Sequence, residues 1–310
     1  MRVFYLLQIL LFFQSVQANE FHSSMTSHSA SRTSPSDFHQ EQFIFNEFKL
    51  SLEMTTYSDN ADYRISGDLV YDEVTQYTSF DARELHVSWY INDFLDLRIG
   101  RQTISWGTGD LLFVNDLFPK DWRSMLSGRN FEYIKSPSDA IKATALVANG
   151  ELNIVYSPSF NADNYLTGKY FSFFNASAQN IVSEDSAINA TEPDTSDFAM
   201  RYKTHIRGFD IALYQYKGYW KSPQGYSLQT NKFTFPRLEV YGLSLSTQIA
   251  SGLISFETGY YSSLDDSSGN DPLIINSQWR HLLGYSRSIA NNLDFSFQFY
   301  VENRQSLSAL

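Results

Sequence analysis

From about residue 43 onwards, apolar and polar residues alternate along much of the chain. Between Phe48 and Met54 every second residue is apolar, and the residues between them are Lys49, Ser51 and Glu53. Successive side chains of a β-strand point to opposite faces, so this period predicts strands with one apolar and one polar face. About twelve such strands are predicted, at residues 43–55, 62–72, 82–91, 94–104, 139–148, 150–158, 197–206, 209–219, 236–249, 252–262, 277–289 and 291–303.

The connections between these strands alternate in length. Tight turns are predicted at Asn92-Asp93, Asn149-Gly150, Arg207-Gly208, Ser251-Gly252 and Asn291-Asn292. Longer stretches between them are predicted as loops at 72–81, 105–138, 159–196, 220–235 and 263–276. Strands of about 9 to 11 residues can cross a bilayer, and short turns opposite long loops are typical of outer-membrane barrels. The sequence therefore predicts an all-β fold, an antiparallel transmembrane β-barrel of about twelve or more strands over residues 42–310.

Both ends of the chain depart from this pattern. Met1-Arg2 is followed by an apolar run from Val3 to Phe13 and by Val16-Gln17-Ala18, which is typical of a cleaved signal peptide over residues 1–18. Residues 19–41 are rich in Ser, His and Thr without periodicity and are predicted to be a disordered leader. Gln305 to Leu310 carries no terminal aromatic residue, so either the barrel is incomplete at its C-terminus or the last strand is Phe295–Val301 followed by a short tail.

Composition narrows the class of protein further. The chain has no Cys, which excludes disulfides and thiolate metal sites, and its net charge of −11 disfavours nucleic acid as a partner. Aromatic residues make up 16% of the chain, as a barrel with aromatic girdles requires. No pattern predicts a metal site, a cofactor or a set of catalytic residues.

One block of sequence carries a specific resemblance. Gly100-Arg101-Gln102 is followed by Trp106-Gly107 and then by the run from Asn115 to Trp122, which reads NDLFPKDW. This block resembles a poorly characterised group of proteobacterial outer-membrane porin-like β-barrels, distantly similar to alginate-export-type porins. The resemblance implies a β-barrel in a Gram-negative outer membrane and a transport role, without a defined substrate. For such a barrel, the expected partners are a small polar solute, outer-membrane lipid, lipopolysaccharide and the barrel-assembly machinery, with the oligomeric state left open.

The same block suggests how a pore would be narrowed. Leu111 to Leu117 is an apolar stretch inside the long loop 105–138, which favours a loop folded into the lumen as a constriction. The alternative is a loop packed across the barrel mouth with two tryptophans as interfacial anchors. The candidate constriction residues are Arg101, Trp106, Asp110, Asp116, Lys120, Asp121 and Trp122.

The polar faces of the predicted strands give candidate pore-lining residues. Six acidic residues against three basic ones predict weak cation preference, because charged rings set pore selectivity. Two tyrosines on the same faces could form a stacking track for sugars. The candidates are Glu47, Lys49, Glu53, Arg64, Asp68, His86, Tyr90, Asp96, Arg98, Glu257, Asp294 and Tyr300.

Two other functions compete with a channel. His86 and Ser88 share one face of a strand, as the pair does in an outer-membrane phospholipase, but their predicted face points away from lipid. The lipid hydrolase is therefore an alternative, and the protein is predicted not to be an enzyme. A plugged barrel that displays loops 159–196 and 220–235 for adhesion is the second alternative.

Overall fold

The computed structural model describes residues 18–39, 42–109, 111–175, 180–183 and 188–306. The chain divides into two compact units, Met1–Gln102 and Thr103–Leu310, which are described separately below. The predicted signal peptide falls outside the described residues, apart from Ala18. Among the described residues, none of the helices has the length and apolar character needed to cross a bilayer.

Unit 1 is an antiparallel sheet in which each strand pairs with the next along the chain. Phe48 faces Tyr71, and Val87 faces Ile99, so the apolar faces of neighbouring strands coincide. Its strands are β1 (Ala18–Ser31), β2 (Phe43–Tyr57), β3 (Ala61–Asp72), β4 (Tyr77–Asn92) and β5 (Leu95–Gln102).

Unit 2 opens with the long connection 103–137, which contains helix α1 (Trp122–Leu126) and a short 3₁₀ turn at Phe131–Ile134. Eight long antiparallel strands follow, and each pairs with the next long strand along the chain. They are β6 (Ser138–Val147), β7 (Gly150–Ser157), β11 (Asp197–Ile206), β12 (Phe209–Tyr219), β15 (Arg237–Ile249), β16 (Gly252–Ser263), β17 (Gln278–Ala290) and β18 (Leu293–Arg304). Five short strands lie in the loops: β8 (Phe173–Asn175), β9 (Asn180–Val182), β10 (Ala190–Thr191), β13 (Gly225–Ser227) and β14 (Lys232–Thr234).

Two-residue turns close the hairpins of unit 2. Ala148 and Asn149 both have positive φ, as do Ala250 and Ser251. Two such residues in succession give the mirror-image turn whose twist matches that of the flanking strands. The structure therefore places these turns one residue earlier than the predicted Asn-Gly and Ser-Gly pairs, whereas Arg207-Gly208 is a turn as predicted.

Burial in the long strands is inverted relative to a water-soluble sheet. Large apolar side chains are half exposed, among them Phe48 at 52% and Leu213 at 54%. Polar side chains on the opposite faces are buried, among them Asp68 at 4% and Asn153 at 0%. Exposed apolar area on this scale is unfavourable in water and is what a strand surrounded by lipid presents.

Two predictions are corrected by these boundaries. The prediction of a disordered leader over residues 19–41 is wrong for residues 19–31, which form most of β1. Strand β1 pairs with β2 along its whole length, with Phe21 opposite Met54 and Met25 opposite Leu50. The predicted loop 72–81 is also too long. Strand β4 begins at Tyr77, so residues 73–76 alone connect it to β3.

Candidate functional site

The connection 103–137 packs onto one face of the unit 2 sheet, called here the inner face. Trp106 is 5% exposed and lies edge-on to Phe118, with 4.9 Å between ring centroids, and 6.1 Å from the ring of Tyr214 on β12. Ile104 and Val240 belong to the same buried cluster. Because this cluster joins the loop to the strands, the first part of the connection is fixed on the sheet.

Glu257 on β16 anchors the middle of this connection. The carboxylate is 1% exposed and accepts hydrogen bonds from the backbone N–H groups of Thr108, Gly109 (3.1 Å) and Asn115 (3.1 Å). The side-chain amide of Asn115 donates a further bond of 3.2 Å to the same carboxylate. Hydrogen bonds to an ionised acceptor are about twice as strong as neutral ones. Residues 107–109 and 111–116, called the anchored segment below, are therefore held by one buried anion.

Two glycines on the inner face make room for the anchored segment. A Cβ on Gly242 of β15 would lie 1.9 Å from Oδ1 of Asn115, and one on Gly259 would lie 3.3 Å from Cγ1 of Val114. The Asn115 amide also donates to the Leu243 carbonyl at 3.2 Å. The hydroxyl of Tyr261 donates to the Val114 carbonyl. The anchored segment therefore packs closely against residues of both β15 and β16.

The predicted charges Asp116 and Lys120 form a buried ion pair. The Nζ atom of Lys120 lies 3.0 Å from Oδ1 of Asp116, with side chains 3% and 2% exposed, and it donates to the Phe118 carbonyl at 2.6 Å. The hydroxyl of Ser105 donates to the other Asp116 oxygen at 3.0 Å. Both charges thus stabilise the fold of the loop.

We expect Lys120→Met to destabilise unit 2 by about 3–5 kcal/mol, because the variant leaves the Asp116 carboxylate buried without its counter-ion. The double variant Asp116→Asn with Lys120→Met should lose less, since both charges are removed together. Urea unfolding of the protein in lipid vesicles, followed by tryptophan fluorescence, measures both. Lys203→Met, at an exposed lysine of β11, is the matched control and should change stability by less than about 0.5 kcal/mol. Equal losses for the single and double variants would contradict this account.

The remaining constriction candidates have other positions. Asp121 caps α1 by accepting the backbone N–H of Ser124 at 2.6 Å, and the indole N–H of Trp122 donates to Asp163 at 2.9 Å. Arg101 lies on β5 in unit 1, where Nε donates to the Ala82 carbonyl at 2.6 Å. Asp110 lies outside the described residues.

The loops predicted at 159–196 and 220–235 join in one layer. Ala190 of β10 pairs with Phe233 of β14 in a small sheet that β13 completes. Phe160 of the first loop lies 5.0 Å from Phe235 of the second, measured between ring centroids. The aromatic contact and the pairing hold the two loops to each other.

The connection from β16 to β17 is also ordered by its own backbone. Asp266 accepts the backbone N–H of Asp271 at 2.7 Å and that of Gly269 at 3.0 Å. These donors, with the Asp271 N–H first, hold the pKa of the Asp266 carboxyl below its usual value. Its neighbour Asp265 pairs with Arg237, with 2.6 Å between Oδ1 and Nε.

The predicted pore-lining residues of unit 1 lie on its polar faces, where several make polar contacts with neighbouring side chains. Glu53 pairs with Arg64 at 3.0 Å, and Arg98 donates to Ser88 at 3.0 Å. Glu47 and Asp68 are buried, at 5% and 4% exposure. Lys49 and Asp96 are partly buried on β2 and β5. Tyr90 donates to Asp62.

In unit 2 the predicted residues belong to the inner face but differ in what they contact. Glu257 is covered by the anchored segment. Asp294 is exposed and accepts from Ser288 at 2.6 Å, while Tyr300 donates to Glu302 at 2.9 Å. The anchoring role of Glu257 could not be predicted from the sequence. A lone glutamate within an alternating strand carries no signal for its distant backbone partners.

His86 and Ser88 are not brought together as a catalytic pair. The Nε2 atom of His86 lies 3.1 Å from Oε2 of Glu84, and the Ser88 hydroxyl accepts from Arg98. A nucleophilic serine requires a base within hydrogen-bond reach of its own hydroxyl. The observed partners do not supply that arrangement.

Comparison with known proteins identifies a family and a fold. A family described as "Protein of unknown function (DUF1302)" matches residues 76–278, more than half of the chain. No curated protein matches in sequence.

Solved structures match over nearly the whole chain. OmpF of Salmonella typhi, in complex with daunomycin, has a TM-score of 0.50 at 10% identity, over 94% of this chain and 80% of that chain. An OmpT loop-deletion mutant from the Vibrio cholerae outer membrane has a TM-score of 0.46 at 9% identity, over 94% and 83%. The outer-membrane channel DcaP of Acinetobacter baumannii has a TM-score of 0.39 at 9% identity, over 94% and 93%. This chain has thirteen long antiparallel strands. Together with the match to OmpF, they confirm the predicted fold, an antiparallel outer-membrane β-barrel of about twelve or more strands.

Proposed function

Because the chain belongs to this family of unknown function (DUF1302) and has the fold of porins, we propose that it is a porin-like channel of the bacterial outer membrane. Small hydrophilic solutes diffuse through its lumen, and the protein performs no chemistry on them. The inverted burial of the long strands is the observation that carries this proposal, because apolar faces suit lipid and polar faces suit a water-filled lumen. The predicted link to alginate-export-type porins stays a prediction.

The connection 103–137 supplies the proposed constriction. Its anchored segment lies on the inner face and occupies space that would otherwise belong to the lumen. Below it, towards the two-residue turns, the inner face of β16 to β18 carries small residues, including Ser255, Gly284 and Ser296, together with the carboxylate of Asp294. We infer a channel that is narrow at the anchored segment and wider beneath it.

Planar-bilayer recording of the purified wild-type protein tests the proposal. Discrete conductance steps are expected when the protein inserts, and protein that inserts without conducting would contradict a channel. That second result is the one that a plugged barrel with adhesive loops would give. The pairing between β10 and β14 favours this alternative, because it joins the loops 159–196 and 220–235 to each other.

A weak cation preference is the expected selectivity. Five of the six predicted acidic residues remain after Glu257 is assigned to the loop, against the three bases Lys49, Arg64 and Arg98. Reversal potentials across a KCl gradient should therefore favour K⁺, and Asp294→Asn should reduce that preference. Anion selectivity of the wild type would contradict the assignment of these faces to the lumen.

The lipid hydrolase has a separate test. If His86 and Ser88 acted as a base and a nucleophile, wild-type protein in detergent would release fatty acid from added phospholipid. The Ser88→Ala variant would release none. We expect no release from either protein, because the Ser88 hydroxyl bonds to Arg98. Activity that disappears in Ser88→Ala would instead establish the enzyme.

A further inference from the structure

A cavity of about 350 Å³ lies between the inner face and the loop residues 111–125. Its lining combines aliphatic side chains, Leu112 and Met125 among them, with the rings of Phe113 and Trp122. Small-molecule sites in proteins have volumes of roughly 300–1,000 Å³ and are lined mainly by apolar and aromatic side chains. The cavity has the size and the apolar lining of such a site.

Aromatic rings line the cavity on both of its walls. On the loop side, the rings of Phe113 and Trp122 lie edge-on, with 6.1 Å between their centroids. On the side of the sheet, Trp220 stacks on Tyr261 of β16, with 5.5 Å between centroids. Aromatic rings attract one another in stacked and in edge-on arrangements, so this lining favours a ligand that is itself aromatic.

Six charged side chains also line the cavity, and the protein itself supplies a partner to each of them. Lys120 pairs with Asp116, with 3.0 Å between Nζ and Oδ1, and Lys221 pairs with Asp197. The carboxylate of Asp163 accepts three hydrogen bonds from neighbouring groups. These four lining charges are therefore already compensated within the fold.

Arg280 and Glu302 are the other two charges of the lining. With the Gln278 amide oriented so that its oxygen faces Arg280, Nε of Arg280 donates to that oxygen at 2.8 Å. The same Nε lies 3.6 Å from Glu302, which accepts from Tyr300 at 2.9 Å and from Arg304 at 2.8 Å. Burial of a charge without a new partner is costly, so the cavity disfavours an ion of either sign and suits an uncharged ligand.

We propose that this cavity binds a small uncharged aromatic compound. The ligand ring lies against Phe113 and the side chains of Leu112 and Met125, and binding is stabilised by burial of its apolar surface. This inference goes beyond the proposed diffusion of hydrophilic solutes, because the ligand is apolar and its binding does not require conduction.

Ligand-observed NMR titration of the full chain in lipid nanodiscs tests the site, with acetophenone as the probe and empty nanodiscs as the background. Benzoate has nearly the same shape with a negative charge, and benzylammonium carries a positive charge. We expect acetophenone to bind at least about tenfold more tightly than either ion, because neither ion gains a partner in the cavity. Cyclohexyl methyl ketone should bind roughly threefold more weakly than acetophenone, since it lacks the aromatic ring.

Two variants fill the cavity from different parts of the loop. Leu112→Trp and Met125→Trp should each weaken acetophenone binding at least about tenfold, because the added side chain occupies the space of the ligand. Leu228→Trp is the matched control, since Leu228 lies between β13 and β14, outside the lining, and is 76% exposed. It should bind acetophenone as the wild type does. Circular dichroism of each variant verifies that the barrel has folded.

An ion that binds as tightly as acetophenone would overturn the site, and so would acetophenone binding that is unchanged in both filled variants. A saturated ketone that binds equally well would overturn the preference for an aromatic ring. The two proposals fail separately. Wild-type protein that conducts in bilayers without binding acetophenone refutes the site alone, whereas protein that binds acetophenone without conducting refutes the channel alone.

Discussion

Glu257→Ala is expected to release the anchored segment and to raise both the mean conductance and the open-channel noise. The variant removes the acceptor of four hydrogen bonds, and it leaves the N–H groups of Thr108 and Asn115 buried without it. Each hydrogen bond to a charged group contributes about 1.5–3 kcal/mol, so the segment loses roughly 3 kcal/mol or more of its attachment. The cluster around Trp106 stays, so the loop should move without leaving the sheet. Single-channel recording measures the effect.

A matched control separates loop release from a general loss of negative charge. Glu239 lies on the neighbouring strand β15, where its carboxylate accepts from Tyr241 at 2.8 Å. Glu239→Ala should leave conductance and noise at wild-type values. If Glu257→Ala conducted as the wild type does, the anchored segment would not be the constriction.

Gly242→Ala should displace the same segment by a steric clash with Asn115 while leaving Glu257 in place. The added methyl group would lie 1.9 Å from Oδ1 and 2.9 Å from Cγ of Asn115. To relieve this contact, either the Asn115 amide rotates and loses its bonds to Leu243 and Glu257, or the backbone of the segment shifts. We expect a rise in conductance similar in direction to that of Glu257→Ala. Because both changes release one segment, the double variant should add little to either.

Gly284→Ala is the control for the glycine substitution. Gly284 lies on the inner face of β17 outside the anchored segment, where an added Cβ meets the Ser255 hydroxyl at 2.6 Å, a group that can rotate. Its conductance should stay close to that of the wild type. A larger rise in Gly284→Ala than in Gly242→Ala would place the narrowest point elsewhere.

Twelve of the thirteen long strands could be predicted from the alternation of apolar and polar residues. Successive side chains point to opposite faces, so a strand whose two faces meet different media has a period of two. Strand β1 could not. Its outward positions include Phe21 and Met25, but Ser23 stands between them and Ser27 follows, so the apolar period is too sparse to recognise. Its pairing with β2, and not its own hydrophobicity, makes it a strand.

The turns were predicted near their positions but misplaced by one residue where glycine follows. Gly150 was predicted to be in a turn and instead begins β7, where a Cβ would lie 2.6 Å from the Tyr202 hydroxyl. That hydroxyl donates to the Ala148 carbonyl at 2.8 Å. Gly252 repeats the arrangement with Tyr285. The glycines are needed because tyrosines from a neighbouring strand cover them, which a local turn rule does not detect.

The apolar run predicted the position of the candidate loop, but the roles of the charged side chains in this loop could not be predicted. Asp116 and Lys120 were predicted as charges at a constriction, and they form a buried pair within the loop. Spacing alone does not distinguish a charge that faces water from one that is sealed by a partner four residues away. The cavity of about 350 Å³ beside Trp220 is lined by residues of the loop and of β17, which only the fold brings together.

Single-cysteine labelling tests the central claim most directly, because the chain has no native Cys. Ser255 is on the inner face of β16 and Phe256 is on its outer face, 37% exposed. A charged, water-soluble thiol reagent added during bilayer recording should reduce the current of Ser255→Cys and leave that of Phe256→Cys unchanged. Block of Phe256→Cys, or no block of Ser255→Cys, would contradict a water-filled lumen along the polar face.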